Sequence, residues 1–544
     1  MWIKKECSPR GFGARCCEIS VHQITGLLIA LIIIAYGGIQ SCRPDPQVQA
    51  ELILRVTELS TKTKDQEALS AAAKALYAAG SEEAALNLLW KVEEGKATLL
   101  LQIARYAALR GREDESIEFV RQSFGLTSVG QDLEASAKRL DELIVEASKI
   151  AASAESTAIL EHLRLLARNK ELSAEAAAAM IFAMCEIAVV SEDWRLLDSA
   201  SSFVPFLTED EAQDSAFLAM TWATAHRITI TADMNYMKQG LAHAEAISDP
   251  PKKAQAFALL AEVARKSRNI DLMQKMVEKM DTAMTGTYGY EVVEGLCRIA
   301  LVFRLDGSFA QKLLKDAMEY ARKTLTIPGI GALPQKKSED KDIGSLLGAL
   351  SSRYFSWIAI VALKLDEIDI ATRAFNEALG LITKVDSKTS LLLGPAFIPF
   401  LDAIQQLDKA KTQKEYLIAL KQFANRIPEP LARSMVLAEI CETAGEIAIA
   451  RKSPEFLEVA WQTLVLIPIP EWQETKLIDL SYTSARLGDP QFVISRFPNL
   501  VSAHKLALDL KIYSAALTGL AETDKILVEK ESRFLVETRV STSN

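Results

Sequence analysis

The sequence predicts an all-α protein built as a superhelical solenoid of stacked antiparallel helix hairpins. Three observations carry that reading: a helix-forming composition, a scarcity of breakers and a pattern that returns at hairpin spacing. Aromatic residues make up only 7% of the 544 residues, and glycine (24) and proline (17) are few. Alanine, leucine, glutamate and lysine lead the helix propensity scale, whereas strands favour β-branched and aromatic side chains. No proline occurs between Pro46 and Pro205, which suits uninterrupted helices. With 49% apolar and 24% charged residues the chain is built to fold. Its length exceeds what one ordinary core serves, so several domains, a very large fold or an array of repeats is expected.

The chain opens with Lys4, Lys5, Arg10 and Arg15 ahead of an apolar run from Ile24 to Tyr36. A basic flank, a short apolar core and small residues after it are the parts of a secretory signal. The core is short for a bilayer span. Ile39-Gln-Ser-Cys42 follows, and this ending resembles the signal of bacterial lipoproteins. That resemblance implies an acylated Cys42 as the first mature residue, and Arg43 after it leans towards the outer membrane. The alternative is an uncleaved signal anchor. In both, the positive-inside rule places residues 1–42 as the tether and the body outside the cytoplasm.

Residues 47–63 read as a first capping helix. Residues 68–80 then form a helix closed by Gly80, and Ser81-Glu-Glu starts a second helix over 84–92. The pattern returns 31 residues later, with a helix over 99–111 closed by Gly111 and a second one containing Ile117. This is similar to the tetratricopeptide family, whose unit is such a hairpin. Leu69, Ala72, Ala73, Leu76, Gly80, Ala85, Leu89 and Val92 fall where that family places packing residues. The chain departs from the family in lacking its large first-helix aromatic, its glycine at Ala73 and its closing proline. Further on, only an aliphatic–alanine pair persists, at Ile187-Ala188, Val263-Ala264, Ile299-Ala300 and Ile358-Ala359. Those gaps suggest a unit of 36 to 38 residues and about a dozen hairpins.

Residues 326–343 carry Pro, Gly and mixed charge without periodicity, so they read as an insertion loop. It divides the body into an N-terminal half, 43–325, and a C-terminal half, 344–544. Residues 541–544 should fray.

Candidate chemistry is thin. After His22 in the signal come only His162, His226, His243 and His504, without zinc spacing. His243-Ala-Glu245 places its two groups on different helix faces. Cys185, Cys297 and Cys441 lie more than 100 residues apart and read as buried free thiols. No nucleophile elbow and no phosphate-binding glycine pattern occurs. No cofactor, metal ligand set or catalytic residue is therefore named, and a non-enzyme is expected. Residues 43–544 hold 58 basic and 69 acidic side chains with no long basic run, which argues against nucleic acid.

Seven of twelve methionines lie between Met220 and Met284, including Met273, Met276, Met280 and Met284 on one side of a helix. Such a stripe is the buried face of a repeat or an adaptable partner groove. The expectation is a membrane-tethered envelope scaffold that binds a protein or peptide on its concave face. An α/α-toroid enzyme acting on envelope polysaccharide is the alternative, and the oligomeric state stays open.

Overall fold

Two kinds of helix alternate along the chain. In the computed structural model, residues 46–538 are described apart from short stretches, of which 325–338 and 383–392 are the longest. The apolar run, Cys42 and residues 541–544 lie outside the described residues. No strand occurs among those described.

The even-numbered helices are α2 (Gln66–Ala78), α4 (Lys96–Leu109), α6 (Leu133–Ser153), α8 (Ala174–Ser191), α10 (Asp210–Thr231) and α12 (Pro250–Lys266). They continue as α14 (Tyr290–Val302), α16 (Glu339–Lys364), α18 (Leu393–Gln405), α20 (Pro430–Arg451), α22 (Pro470–Arg486) and α24 (Leu506–Ala521). The odd-numbered ones are α1 (Pro46–Ser60), α3 (Glu82–Leu89), α5 (Glu113–Thr127), α7 (Thr157–Ala167), α9 (Trp194–Ala200), α11 (Met237–Ala246) and α13 (Ile270–Ala283). After these come α15 (Gly307–Thr324), α17 (Ile368–Ile382), α19 (Ala410–Ala424), α21 (Pro454–Leu464), α23 (Gln491–Ile494) and α25 (Arg533–Thr538).

From α2 to α22, each even helix packs on the odd helix that follows it and on the next even helix. The odd helices seldom meet one another. In a curved double layer the crowded layer is the inner one, so the even helices form the concave wall. That position explains their sequences. An inner helix is covered on both flanks and on its outer side, so only a narrow stripe meets water. α8 is accordingly apolar nearly all round, with enough length and hydropathy to cross a membrane, yet 67% of it is buried inside the fold. All four aliphatic–alanine pairs of the sequence pattern are buried on inner helices α8, α12, α14 and α16.

Most inner helices start 36 to 41 residues apart, and the longer intervals precede α16 and α18. Of the segment 326–343 read as a loop, residues 326–338 lie outside the described residues, and 339–343 are the first residues of α16. Packing continues across this segment, α14 and α15 both resting on α16, and residues 46–544 form one compact unit.

The array does not end as a free spiral. α24, the last inner helix, packs on α2, the first. Lys511 on α24 pairs with Glu67 on α2 at 2.6 Å, and the Tyr106 hydroxyl on α4 donates to Glu522 at 2.7 Å, a link across 416 residues. Among the described residues, twelve inner helices thus close a ring. α24 has no odd helix after it in the wall; its outer partner is α1, from the other end of the chain. Leu52, Val56 and Leu59 of α1 are buried there, and Arg55 lies over the Tyr513 ring at 5.6 Å. Residues 47–63, expected as a cap on a solenoid end, instead complete the twelfth helix pair. A free end would leave an apolar helix flank in water, and closure removes both ends at once.

Nine of the described turns from inner to outer helix share one backbone solution. Gly80, Gly111 and Gly488 take it with positive φ, and so do Glu155, Glu192, Ala232, Arg268, Asp366 and Lys452. After α2, for example, the Ser81 amide donates to the Leu76 carbonyl at 2.8 Å, the long bond of a left-handed helix stop.

Candidate functional site in the ring

The concave wall carries two distinct stretches. On α8, α10, α12 and α14 it holds a segment of the chain itself, residues 532–538, which include α25. A carboxylate of α8 caps that segment. Glu186 accepts from the backbone amides of Arg533 (2.6 Å) and Phe534 (3.1 Å) and from the Ser532 hydroxyl (3.2 Å). Phe534 is buried edge-on between Phe182 and Trp222, with ring centroids 5.2 and 5.4 Å away. Glu537 accepts from the Trp222 indole N–H at 2.9 Å and lies 3.0 Å from His226 Nε2. Burial acts to raise the Glu537 carboxyl, but its hydrogen bonds to His226 and Trp222 outweigh this and hold it below the usual carboxylate range. At the far end the Thr538 carbonyl accepts from Gln255 at 2.9 Å and from Arg298 at 3.4 Å.

The wall is strongly curved here. A six-residue helix is about 9 Å long, yet α25 reaches both α8 and α14, which lie three places apart in the ring. The seat also matches a helix electrically, with a carboxylate at the N-terminal amides and a guanidinium at the C-terminal carbonyl.

On the opposite stretch, between α20, α22, α24, α2 and α4, a cavity of about 600 Å³ opens. Glu442, Glu446, Asp479, Lys476, Lys511 and Tyr482 are among its lining. Lys476 pairs with Glu442, and with Asp479 at 3.0 Å. Glu446 meets water but is enclosed by the concave wall. That enclosure, followed by the negative charges of Glu442 and Asp402, raises its carboxyl to about 7. Burial and then Glu442 also raise Glu439, one turn before Glu442 on α20. Burial and the adjoining Glu522 carboxylate keep the Tyr106 and Tyr482 hydroxyls protonated far above their ordinary range. A carboxyl that titrates near neutrality is suited to proton transfer or to binding a cation.

The methionine stripe lies elsewhere. Met276 and Met280 are buried and Met273 half-buried on outer helix α13, with Met284 half-buried at its C-cap, packed into the wall and away from its concave face. Cys185, Cys297 and Cys441 are free and buried. Burial pushes the Cys441 thiol up to about 12, so it stays protonated even though it lines the cavity. Among the described residues no cluster of His, Cys, Asp and Glu could hold a metal ion. Of the histidines, His226 reaches the seat, while His504 lies outside the described residues. No local motif marks Glu186, Trp222, His226, Gln255 or Arg298, because the group they hold is far along the chain. The one local signal was a buried-looking α8 carrying a carboxylate at Glu186 amid apolar residues.

His243 on α11 is buried, stacked near Phe217 at 6.1 Å, and its Nδ1 has no hydrogen-bond partner. Burial lowers its pKa to about 4. An unfolded histidine titrates near 6.5, so below that pH the unfolded chain binds the extra proton and stability falls. The loss runs from about pH 6.5 down to about 4 and totals about 3 kcal/mol. His243→Phe is expected to flatten that part of the stability–pH curve, read by urea unfolding at pH 4.5 and 7.5. An unchanged acid slope would place the sensitivity elsewhere.

No protein-family model matches this sequence, and no curated protein matches it. One solved structure, a "circular tandem repeat protein with novel repeat topology and enhanced subunit contact surfaces", aligns with 88% of this chain and 99% of its own. The identity is 13% and the TM-score 0.24. The chain is similar to a tandem-repeat protein at that level, and the ring rests on its own contacts.

Proposed function

We propose that this chain is a membrane-tethered helical-repeat scaffold of the cell envelope that binds a protein or peptide segment on the concave face of its ring. The observation behind this reading is the seat on α8–α14, where a peptide segment is held by its main chain, one aromatic and one carboxylate. In this reading the hairpins are tetratricopeptide-like, and the tether is the N-terminal segment, with Cys42 as the acylated residue. Helical-repeat walls commonly serve as binding surfaces, which supports the class of function and leaves the partner to experiment.

The experiment is photo-crosslinking in the native envelope from probes at Asp479 on the concave wall and at Trp90 on the outside. A defined protein adduct from position 479 and none from position 90 is the expected result. Recovery of lipid and abundant bystanders alone from both positions would remove the scaffold reading. The second reading, an enzyme acting on envelope polysaccharide, is favoured by Glu446, whose carboxyl titrates near neutrality in a cavity of mixed charge. Turnover of polysaccharide by the purified chain, abolished by Glu446→Gln, would decide for it.

A further inference from the structure

We infer that residues 532–538 are a detachable intramolecular ligand. Their seat takes a partner's short helical segment bearing an aromatic residue and, three residues later, a carboxylate. This rests on the peptide-binding reading above and names the chemistry of the peptide.

The seat reads few features. At both ends of α25 it contacts main chain: Glu186 holds two amides, and Gln255 and Arg298 hold one carbonyl. Among the described side chains of the helix, two are gripped by groups specific to them, Phe534 by Phe182 and Trp222, and Glu537 by Trp222 and His226. Arg533 is exposed. A foreign helix with the same aromatic-x-x-carboxylate spacing would satisfy every one of these contacts.

The seat is also built without its occupant. Arg298 is held by Glu294 at 2.7 Å and donates to Gln255 at 2.8 Å, so both groups are aimed before anything binds. Trp222 belongs to the buried wall of α10. Glu186 faces the lumen, where water would solvate it if α25 left. By contrast, a six-residue helix has no stability of its own in water and orders only on its seat. It is the part of the molecule poised to open locally while the ring persists.

Tethering gives the segment an effective concentration on the order of millimolar. A free peptide therefore competes poorly until it approaches that concentration. The test uses the full chain and a fluorescein-labelled peptide of residues 530–541. The chain carrying Phe534→Ala and Glu537→Gln is expected to bind the peptide about 100-fold more tightly than the unaltered chain. A peptide carrying Phe534→Ala should not bind either chain. Equal weak binding by both chains, with equal melting temperatures, would overturn the proposal.

A second arm needs no substitution. Millimolar peptide added to the unaltered chain should accelerate hydrogen exchange at the amides of Arg533 and Phe534. If those amides stay protected, the segment is a fixed part of the wall and the proposal is wrong. Such a failure leaves the crosslinking test intact, since that test probes the opposite side of the ring.

Discussion

Val56→Asp is expected to unlatch the ring, whereas Leu54→Asp, two residues away on the same helix, leaves it closed. Val56 is fully buried between α24 and α2, and Leu54 is 71% exposed. A carboxylate at 56 can find no partner in that apolar seam, and α1 would undock sooner than bury it. Undocking forfeits the burial that Leu52, Val56 and Leu59 supply in the parent, each worth about 1.5–3 kcal/mol. Part of this returns as conformational entropy of the freed helix, leaving a net cost of about 4 kcal/mol. The surface change at Leu54 should cost no more than about 0.5 kcal/mol. Small-angle scattering should show a larger radius of gyration for Val56→Asp alone, and limited proteolysis should cut α1 first. If the two variants behave alike, the contact of α24 with α2 closes the ring without help from α1.

Gly519→Ala is the second large effect, and its sign runs against helix propensity. Alanine in place of glycine inside an exposed helix stabilises by about 1 kcal/mol. Here a Cβ would stand 2.2 Å from the Tyr482 carbonyl oxygen and 2.9 Å from its carbon. These are backbone atoms of α22, so no rotamer change relieves the clash and the two helices must part. A cost of about 3 kcal/mol or more is expected. The seam also holds Glu522 between Tyr106 and Tyr482, so the damage would spread to the closure. Gly295→Ala is the internal control. Its Cβ would meet Met284 Cε at 2.4 Å and Sδ at 2.7 Å, the far end of a flexible side chain. That chain can swing away, and stability should stay within about 1 kcal/mol of the parent. Thermal melts of the two variants, with hydrogen exchange on α24, separate the cases; equal melting points would refute the backbone argument.

The glycine ruler shows how far local pattern reaches. Gly80 and Gly111 marked the first two hairpins because a left-handed turn favours residues without a Cβ. Further on, Glu155, Glu192, Ala232, Arg268, Asp366 and Lys452 make the same turn at some strain, so the repeat persists in backbone and fades from the sequence. Pro250, Pro430, Pro454 and Pro470 each stand at the first position of a helix, where a missing amide is unneeded.

The methionines teach the reverse. Their spacing identified one face of α13, but a buried face and a binding face have the same period, and only the packing of α13 on the wall separates them. His226 was one of a few isolated histidines until α10 and α25 brought it to Glu537 across 311 residues.

The sequence by itself determined the all-helical class, the hairpin unit, its count and the scarcity of local catalytic motifs. These follow from propensity, period and turn chemistry, all of which act over a few residues. Tertiary structure alone decided that the wall closes, that α1 joins α24, and that a short segment sits on the concave face opposite a cavity of mixed charge. Closure depends on the small rotation accumulated at each of twelve packed interfaces, and the seat on groups hundreds of residues apart. Neither leaves a trace within any one helix.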